Sequence, residues 1–165
     1  MPAKVELRPY AEGDFWLLER NNAPEQTEHL GGPESPEKLA GRHVRYLELD
    51  PSGSGMYVVL AEGEPAGMIG FWEKDWQGEE VFETGWGILP EMQGRGLATA
   101  AALAVAEQAR ALGTRRHLHA YPSVDHPASN AICRKAGFTF IGAVDFEYPI
   151  GNPIRCNDWR LDLRA

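Results

Sequence analysis

The stretch Ile88–Ala101, ILPEMQGRGLATAA, decides how this chain is read. It closes an apolar run, passes through a polar loop at Gln93-Gly94-Arg95-Gly96, and becomes a series of small helix-forming residues. Strand, tight loop and helix in that order make a recipe for holding an anion. The first turn of a helix leaves several N–H groups without internal partners. The helix dipole places partial positive charge at the same end. Glycine lets a phosphate approach the main chain with no Cβ in the way, and Arg95 adds a cation. The spacing excludes an NTPase P-loop, because GxxxxGK(S/T) is absent, and the missing GxGxxG weakens a dinucleotide reading. A left-handed turn leading into a helix, with no ligand, has the same local sequence.

Working outward from the loop, the preceding strand runs from about Val81 to Leu89, and the helix from Gly96 to Leu112 ends at Gly113. Upstream, Val5–Arg8 alternates like a first strand. Asp14 introduces the apolar-rich helix FWLLERNN. Residues 22–35 are broken by prolines and Gly31-Gly32. Ser35-Pro36-Glu37 starts a helix expected to reach about Leu49, before Pro51. Strands at 56–60 and 67–72 flank a turn at Glu62–Pro65. Downstream come a short strand at 118–121, a helix from Pro127 to Gly137, and strands at 138–148 and 156–163. The order β-α-α-β-β-β-α-β-α-β-β predicts an α/β (α+β) fold in one domain, residues 1–165. Its mixed, mostly antiparallel sheet has six to seven strands, a splayed parallel pair and helices on both faces.

Composition narrows the chemistry. The 165 residues carry 16 Lys+Arg against 24 Asp+Glu, a formal charge of −8. That argues against nonspecific nucleic-acid or anionic-membrane binding and is compatible with a cationic acceptor or with ordinary solubility. Two cysteines, Cys133 and Cys156, with no CxxC or Cys/His cluster, predict no metal and a reduced, cytoplasmic protein. No apolar run reaches transmembrane length, and MPAKVELRPY lacks a signal-peptide core.

Gln93-x-x-Gly96-x-Ala98 resembles the (Gln/Arg)-x-x-Gly-x-(Gly/Ala) signature of the GNAT superfamily of N-acetyltransferases. The segment AEGEPAGMIGFW is similar to that family's second and third strands. NAICRKAGF, residues 130–138, resembles its last helix and the "GF" start of the next strand. The resemblance covers about Val5 to Leu163, points toward the ribosomal-protein N-terminal acetyltransferase branch, and implies the acyl-CoA N-acyltransferase fold. It implies acetyl-CoA as co-substrate and a primary amine, on a small molecule or a peptide N-terminus, as acceptor. The alternative is a non-catalytic acyl-CoA-binding regulatory domain; a longer acyl chain and a homodimer are also compatible.

Carried over residue by residue, Gln93, Gly94, Arg95, Gly96, Leu97, Ala98 and Thr99 would cradle the pyrophosphate, and Gly87 and Ile88 would pair with the pantetheine arm. The family's asparagine slot holds His126, which is either a helix cap or a CoA contact; Ser129 and Asn130 are further CoA candidates. The family's tyrosine slot holds Cys133, which is either the acid for the departing thiolate or a core residue. Glu83 is either the general base or a surface carboxylate; alternation groups it with Gly85 and Gly87 on one face. Tyr121 and His119 are weaker candidates for that role. The acceptor side, by the same resemblance, draws on residues 15–46 and 145–158. It includes Glu25, Glu28, His29, Asp145, Glu147 and Asp158, with Trp16, Tyr46, Phe146 and Tyr148.

Overall fold

A computed structural model describes residues 3–147 and 150–165, so Tyr148 lies outside the described residues. The strands are β1 (Glu6–Pro9), β2 (Gly55–Ala61), β3 (Glu64–Trp76), β4 (Glu79–Ile88), β5 (His117–Ala120), β6 (Thr139–Glu147) and β7 (Pro153–Asp162). The helices are α1 (Phe15–Asn21), the single turn α2 (Pro24–Thr27), α3 (Pro36–Leu47), α4 (Leu97–Leu112) and α5 (Pro127–Lys135). The seven strands form one sheet in the order β1-β2-β3-β4-β5-β7-β6. Every adjacent pair is antiparallel except β4–β5. The expected mixed sheet with one parallel pair is therefore present. The final hairpin doubles back, so that β7 rather than β6 lies beside β5.

Neighbouring apolar residues on the central strands point to opposite faces, and each face has its own helices. Val59, Ile69, Phe71 and Phe82 pack with α4, whose Ala101, Ala102, Val105, Ala106 and Ala109 are buried. Small side chains at helical spacing let α4 lie close to the sheet. On the other face Val58 and Met68 pack under Leu17 and Leu18 of α1 and Leu39 of α3. Ser35 caps α3, its Oγ accepting from the Lys38 N–H at 3.2 Å, with Pro36 following as the cap chemistry predicts.

Two boundaries differ from expectation because of one turn. Gln77 (φ 50°) and Gly78 (φ 82°) form a two-residue left-handed connection, which suits the twist of a hairpin. The hairpin extends β3 to Trp76 and starts β4 at Glu79, adding Lys74 and Trp76 to the paired sheet. Helix α3 stops at Leu47, two residues short of the expected end.

The parallel pairing is very short. Only Phe82↔Leu118 and Glu83↔His119 are in register. Beyond Ala120 the chain turns with β7, where the Asn157 N–H donates to the Pro122 carbonyl at 2.8 Å. β4 runs on to Ile88 alone on that edge, and a wedge opens between the two strands.

Candidate active site

The loop after β4 has the geometry of an anion nest. Gly94 and Gly96 have φ of +78° and +77°, a region that side-chain-bearing residues avoid. Gly96 immediately precedes α4, and the first intrahelical bond is from the Ala100 N–H to the Gly96 carbonyl at 3.1 Å. The amides of Gly94 through Thr99 therefore have no backbone partner among the described residues. Gly94, Arg95 and Gly96 are exposed. Gln93 behaves differently. Its N–H donates to Pro90, and its Nε2 donates to the Ile88 carbonyl at 2.9 Å and to Gln26 Oε1 at 3.2 Å. It latches the loop to the end of β4, and the free amides begin at Gly94. The Arg95 guanidinium touches only the soft Met92 sulfur, at 3.4 Å, among the described residues.

Strand alternation also revises the pantetheine edge. The Leu89 N–H donates to Ala66, toward β3, so Gly87, two residues earlier, faces β3 as well. The main-chain groups facing the wedge belong to Trp86 and Ile88. Gln26 and Gln93 already occupy the Ile88 carbonyl, both at 2.9 Å. Ile88 thus presents its N–H to the wedge, and Trp86, not the expected Gly87, is the other residue whose main chain faces it. Gln26 was not legible from sequence.

A cavity of about 580 Å³ fills the wedge, lined among others by Trp72, Lys74, Glu83, Tyr121, His126, Ser129 and Phe146. A second, of about 360 Å³, adjoins it beneath α1–α3 and shares Gln26, Leu30, Arg42, Trp72, Gly85 and Trp86. Glu83 reaches the larger cavity with its side chain 24% exposed and Lys74 Nζ 3.7 Å away. Burial pushes its carboxyl pKa up, an effect that Lys74 opposes. Access to the cavity and a carboxyl raised by burial suit a group that accepts a proton.

Next to Glu83 lies a buried polar chain. His119 Nδ1 is 2.6 Å from Asp158 Oδ1, and Asp158 Oδ2 accepts from Trp76 Nε1 at 3.1 Å. A carboxylate only accepts, so His119 Nδ1 is the donor in this contact. His119 Nε2 and the Tyr121 hydroxyl are buried without a hydrogen-bond partner among the described residues. Asp158, 1% exposed, is thus an internal orienting group and does not belong to an acidic acceptor surface.

The α5 candidates divide. His126 occupies the residue before α5 but makes no side-chain cap bond. Its ring stacks on His29, with centroids 4.1 Å apart and planes 12° from parallel. Burial and the neighbouring His29 lower its pKa. Ser129 lines the larger cavity. Asn130 has no capacity left for CoA. Its Nδ2 donates to the carbonyls of Ser123 and His126, at 3.0 and 2.9 Å. Its Oδ1 accepts from Asn157 Nδ2 and Trp159 Nε1, at 2.8 and 2.9 Å. Two donors and two acceptor lone pairs are all used. Cys133 sits fully buried in the α4-side core and lines neither cavity. Burial pushes its thiol up to about 12, so the core reading fits it and the acid reading does not.

On the acceptor side, His29, Phe146 and Glu147 line the larger cavity and Tyr46 the smaller. Trp16, Glu25, Glu28 and Asp145 line neither, and Asp145 pairs with Arg155 at 2.9 Å. Lys74 and Trp76 were missed, although Trp72, Lys74 and Trp76 alternate on one face of β3. No group of three or more His, Cys, Asp or Glu is placed to hold a metal among the described residues.

No curated protein matches the chain. Solved structures share its fold along nearly its whole length. The aminoglycoside acetyltransferase AAC(6')-Ib in complex with coenzyme A is 22% identical, with TM-score 0.75, over 96% of this chain and 95% of that one. Spermidine N-acetyltransferase from Vibrio cholerae, in complex with CoA and spermine, is 18% identical, with TM-score 0.76, over 97% and 96%. RimL, a ribosomal-protein alpha-N-acetyltransferase in complex with coenzyme A, is 22% identical, with TM-score 0.73, over 98% and 96%. A family model described as an acetyltransferase (GNAT) domain matches residues 4–139, which include the two strands flanking the wedge, the glycine loop and α5. The chain belongs to the GNAT acetyltransferase family.

Proposed function

We propose that the protein moves an acetyl group from acetyl-CoA to a primary amine, on a small molecule or a peptide N-terminus, by direct attack in a ternary complex. The observation that carries this reading is a row of amides at the start of α4, unpartnered among the described residues, beside a wedge that has Glu83 in its wall. Acetyl-CoA supplies an activated acyl group on a good leaving group. Gly94 to Thr99 would hold its diphosphate, with Arg95 as a supporting cation. Trp86 and Ile88 would pair with the pantetheine as an added strand, and Ser129 and His126 would flank it. An N–H on the β4 edge would steady the developing oxyanion. Glu83 would take the proton from the attacking amine. The C–N bond forms as the C–S bond breaks, and the thiolate leaves without help from Cys133.

The amine acceptor is carried over from the similar structures, whose names specify an aminoglycoside, spermidine and a ribosomal protein. We place the activity in the cytoplasm, which accords with two free cysteines. Calorimetric titration with acetyl-CoA, paired with thiol release over a panel of amines, aminoglycosides and peptide N-termini, tests the proposal. Binding followed by amine-dependent release is expected. Release only with hydroxyl or thiol acceptors refutes the amine. Binding with no turnover on any acceptor favours a CoA-binding regulatory domain, the reading that the core position of Cys133 favours.

A further inference from the structure

Lys74 holds its ammonium in a box built from three separate segments. Its Nζ lies 5.6 Å from the Trp76 ring centroid, 5.6 Å from Tyr121 and 5.4 Å from Phe146. Each distance is within the range at which an aromatic face attracts a cation. The three rings also brace one another, with centroids 5.1–5.2 Å apart. Trp76 is fixed further by its hydrogen bond to Asp158. The Glu83 carboxylate stands at the rim, 3.7 Å from Nζ. Lys74, Glu83, Tyr121 and Phe146 all line the wedge cavity.

Three ring faces and a carboxylate recognise an ammonium from any source. A lysine reaches them on a flexible four-carbon stem, and here that side chain is 27% exposed, so it has a route to solvent. We propose that this cage is the docking site for the acceptor's reacting ammonium, and that Lys74 is a tethered stand-in which the acceptor displaces. The role in turnover rests on the amine-acetyltransferase reading; the cage itself is testable without turnover. An acceptor ammonium in the place of Nζ gives one proton to Glu83, which leaves a neutral amine and a neutral carboxyl; the second N–H proton, released as the amide forms, goes to the departing thiolate. The neutral amine no longer carries the charge that the rings attract, so the same step that makes it nucleophilic loosens its hold in the cage.

Tetramethylammonium has no N–H to transfer and reads the cage alone. A cage that the tether fills about nine times in ten is open to a probe about one time in ten, and the apparent affinity falls by that fraction. Lys74→Ala should therefore bind the probe at least tenfold more tightly than wild type, followed by Trp76 fluorescence, and Lys74→Ala/Phe146→Ala should lose the gain. In the wild-type protein the Lys74 ε-CH₂ resonances, assigned with Lys74→Arg, should be ring-shifted and move to solvent-like positions as the probe is added. Equal affinity in wild type and Lys74→Ala overturns the proposal. So do ε-CH₂ resonances that stay fixed through the titration, a result available even if the alanine variant does not fold. Acetyl-CoA calorimetry on the same preparations keeps the two questions apart. Loss of CoA binding in wild type counts against the acetyltransferase reading, and an unresponsive cage in a CoA-binding protein counts against this one.

Discussion

Replacing Gly94 and Gly96 by alanine, singly, separates the backbone conformation of the loop from its ability to hold a diphosphate. Among the described residues, an added Cβ at Gly94 meets nothing within 4 Å, and at Gly96 it meets only the Ala3 Cβ at an ordinary 3.7 Å. Steric clash therefore contributes little, and the cost is that of an L-residue at φ near +77°, about 1 kcal/mol. Unfolding entropy of about 2.1 cal/mol/K per residue, over a chain of this length, converts that into a Tm drop of about 3 °C. The effect on ligand should be much larger. The strained loop relaxes by turning an amide away, and the new methyl stands where a phosphate oxygen approaches. Losing one charge-assisted N–H···O bond, worth about 1.5–3 kcal/mol, weakens CoA by roughly 10- to 100-fold. Differential scanning calorimetry of the free protein and titration calorimetry with CoA read the two quantities separately. A variant that melts about 3 °C lower yet binds CoA like wild type would show that the open amides are not where the diphosphate sits.

Glu83→Gln should lower kcat by about 10²-fold. Because burial raises the Glu83 pKa, the acid limb of the wild-type kcat profile should lie above the ordinary carboxylate value and vanish in the variant. Cys133→Ala should leave turnover within about twofold of wild type while lowering stability by about 1–2 kcal/mol in urea unfolding, the signature of a core residue. Asn130→Ala strands the Trp159 and Asn157 donors and should cost about 2–4 kcal/mol by the same measurement. The His126 pKa is lowered in the folded state, so its contribution to stability is present above about pH 6.5 and lost as pH falls through the folded value. Histidine NMR titration should give His126 a midpoint below about 6.5, moving upward in His29→Ala.

The order of elements and the anion loop were legible because each rests on local chemistry: alternation, Ser35-Pro36, Gly96 and Gly113 all act within a few residues. Gln77-Gly78 does not read as a hairpin turn from sequence, since a glutamine at positive φ is unusual. Lys74 and Trp76 were lost with it. Main-chain direction at Gly87 required knowing that Leu89 bonds to Ala66, a fact of pairing and not of composition. Asn130 looked like a ligand contact because a polar residue in a helix's first turn usually faces solvent. What occupies it comes from β7 and from the loop after β5, segments distant in sequence. The site is therefore readable where a single segment makes it and opaque where three segments meet, as around Lys74.

The two-residue register between β4 and β5 has a mechanical consequence. Strands β1–β4 and β5–β7 are two blocks sewn together along the backbone by a seam only two residues long. A molecule lying along the unpaired edge from Thr84 to Ile88 would act as a suture between them. Bound co-substrate should then slow amide exchange in both blocks together, including positions far from any contact, and stiffen the protein across its middle.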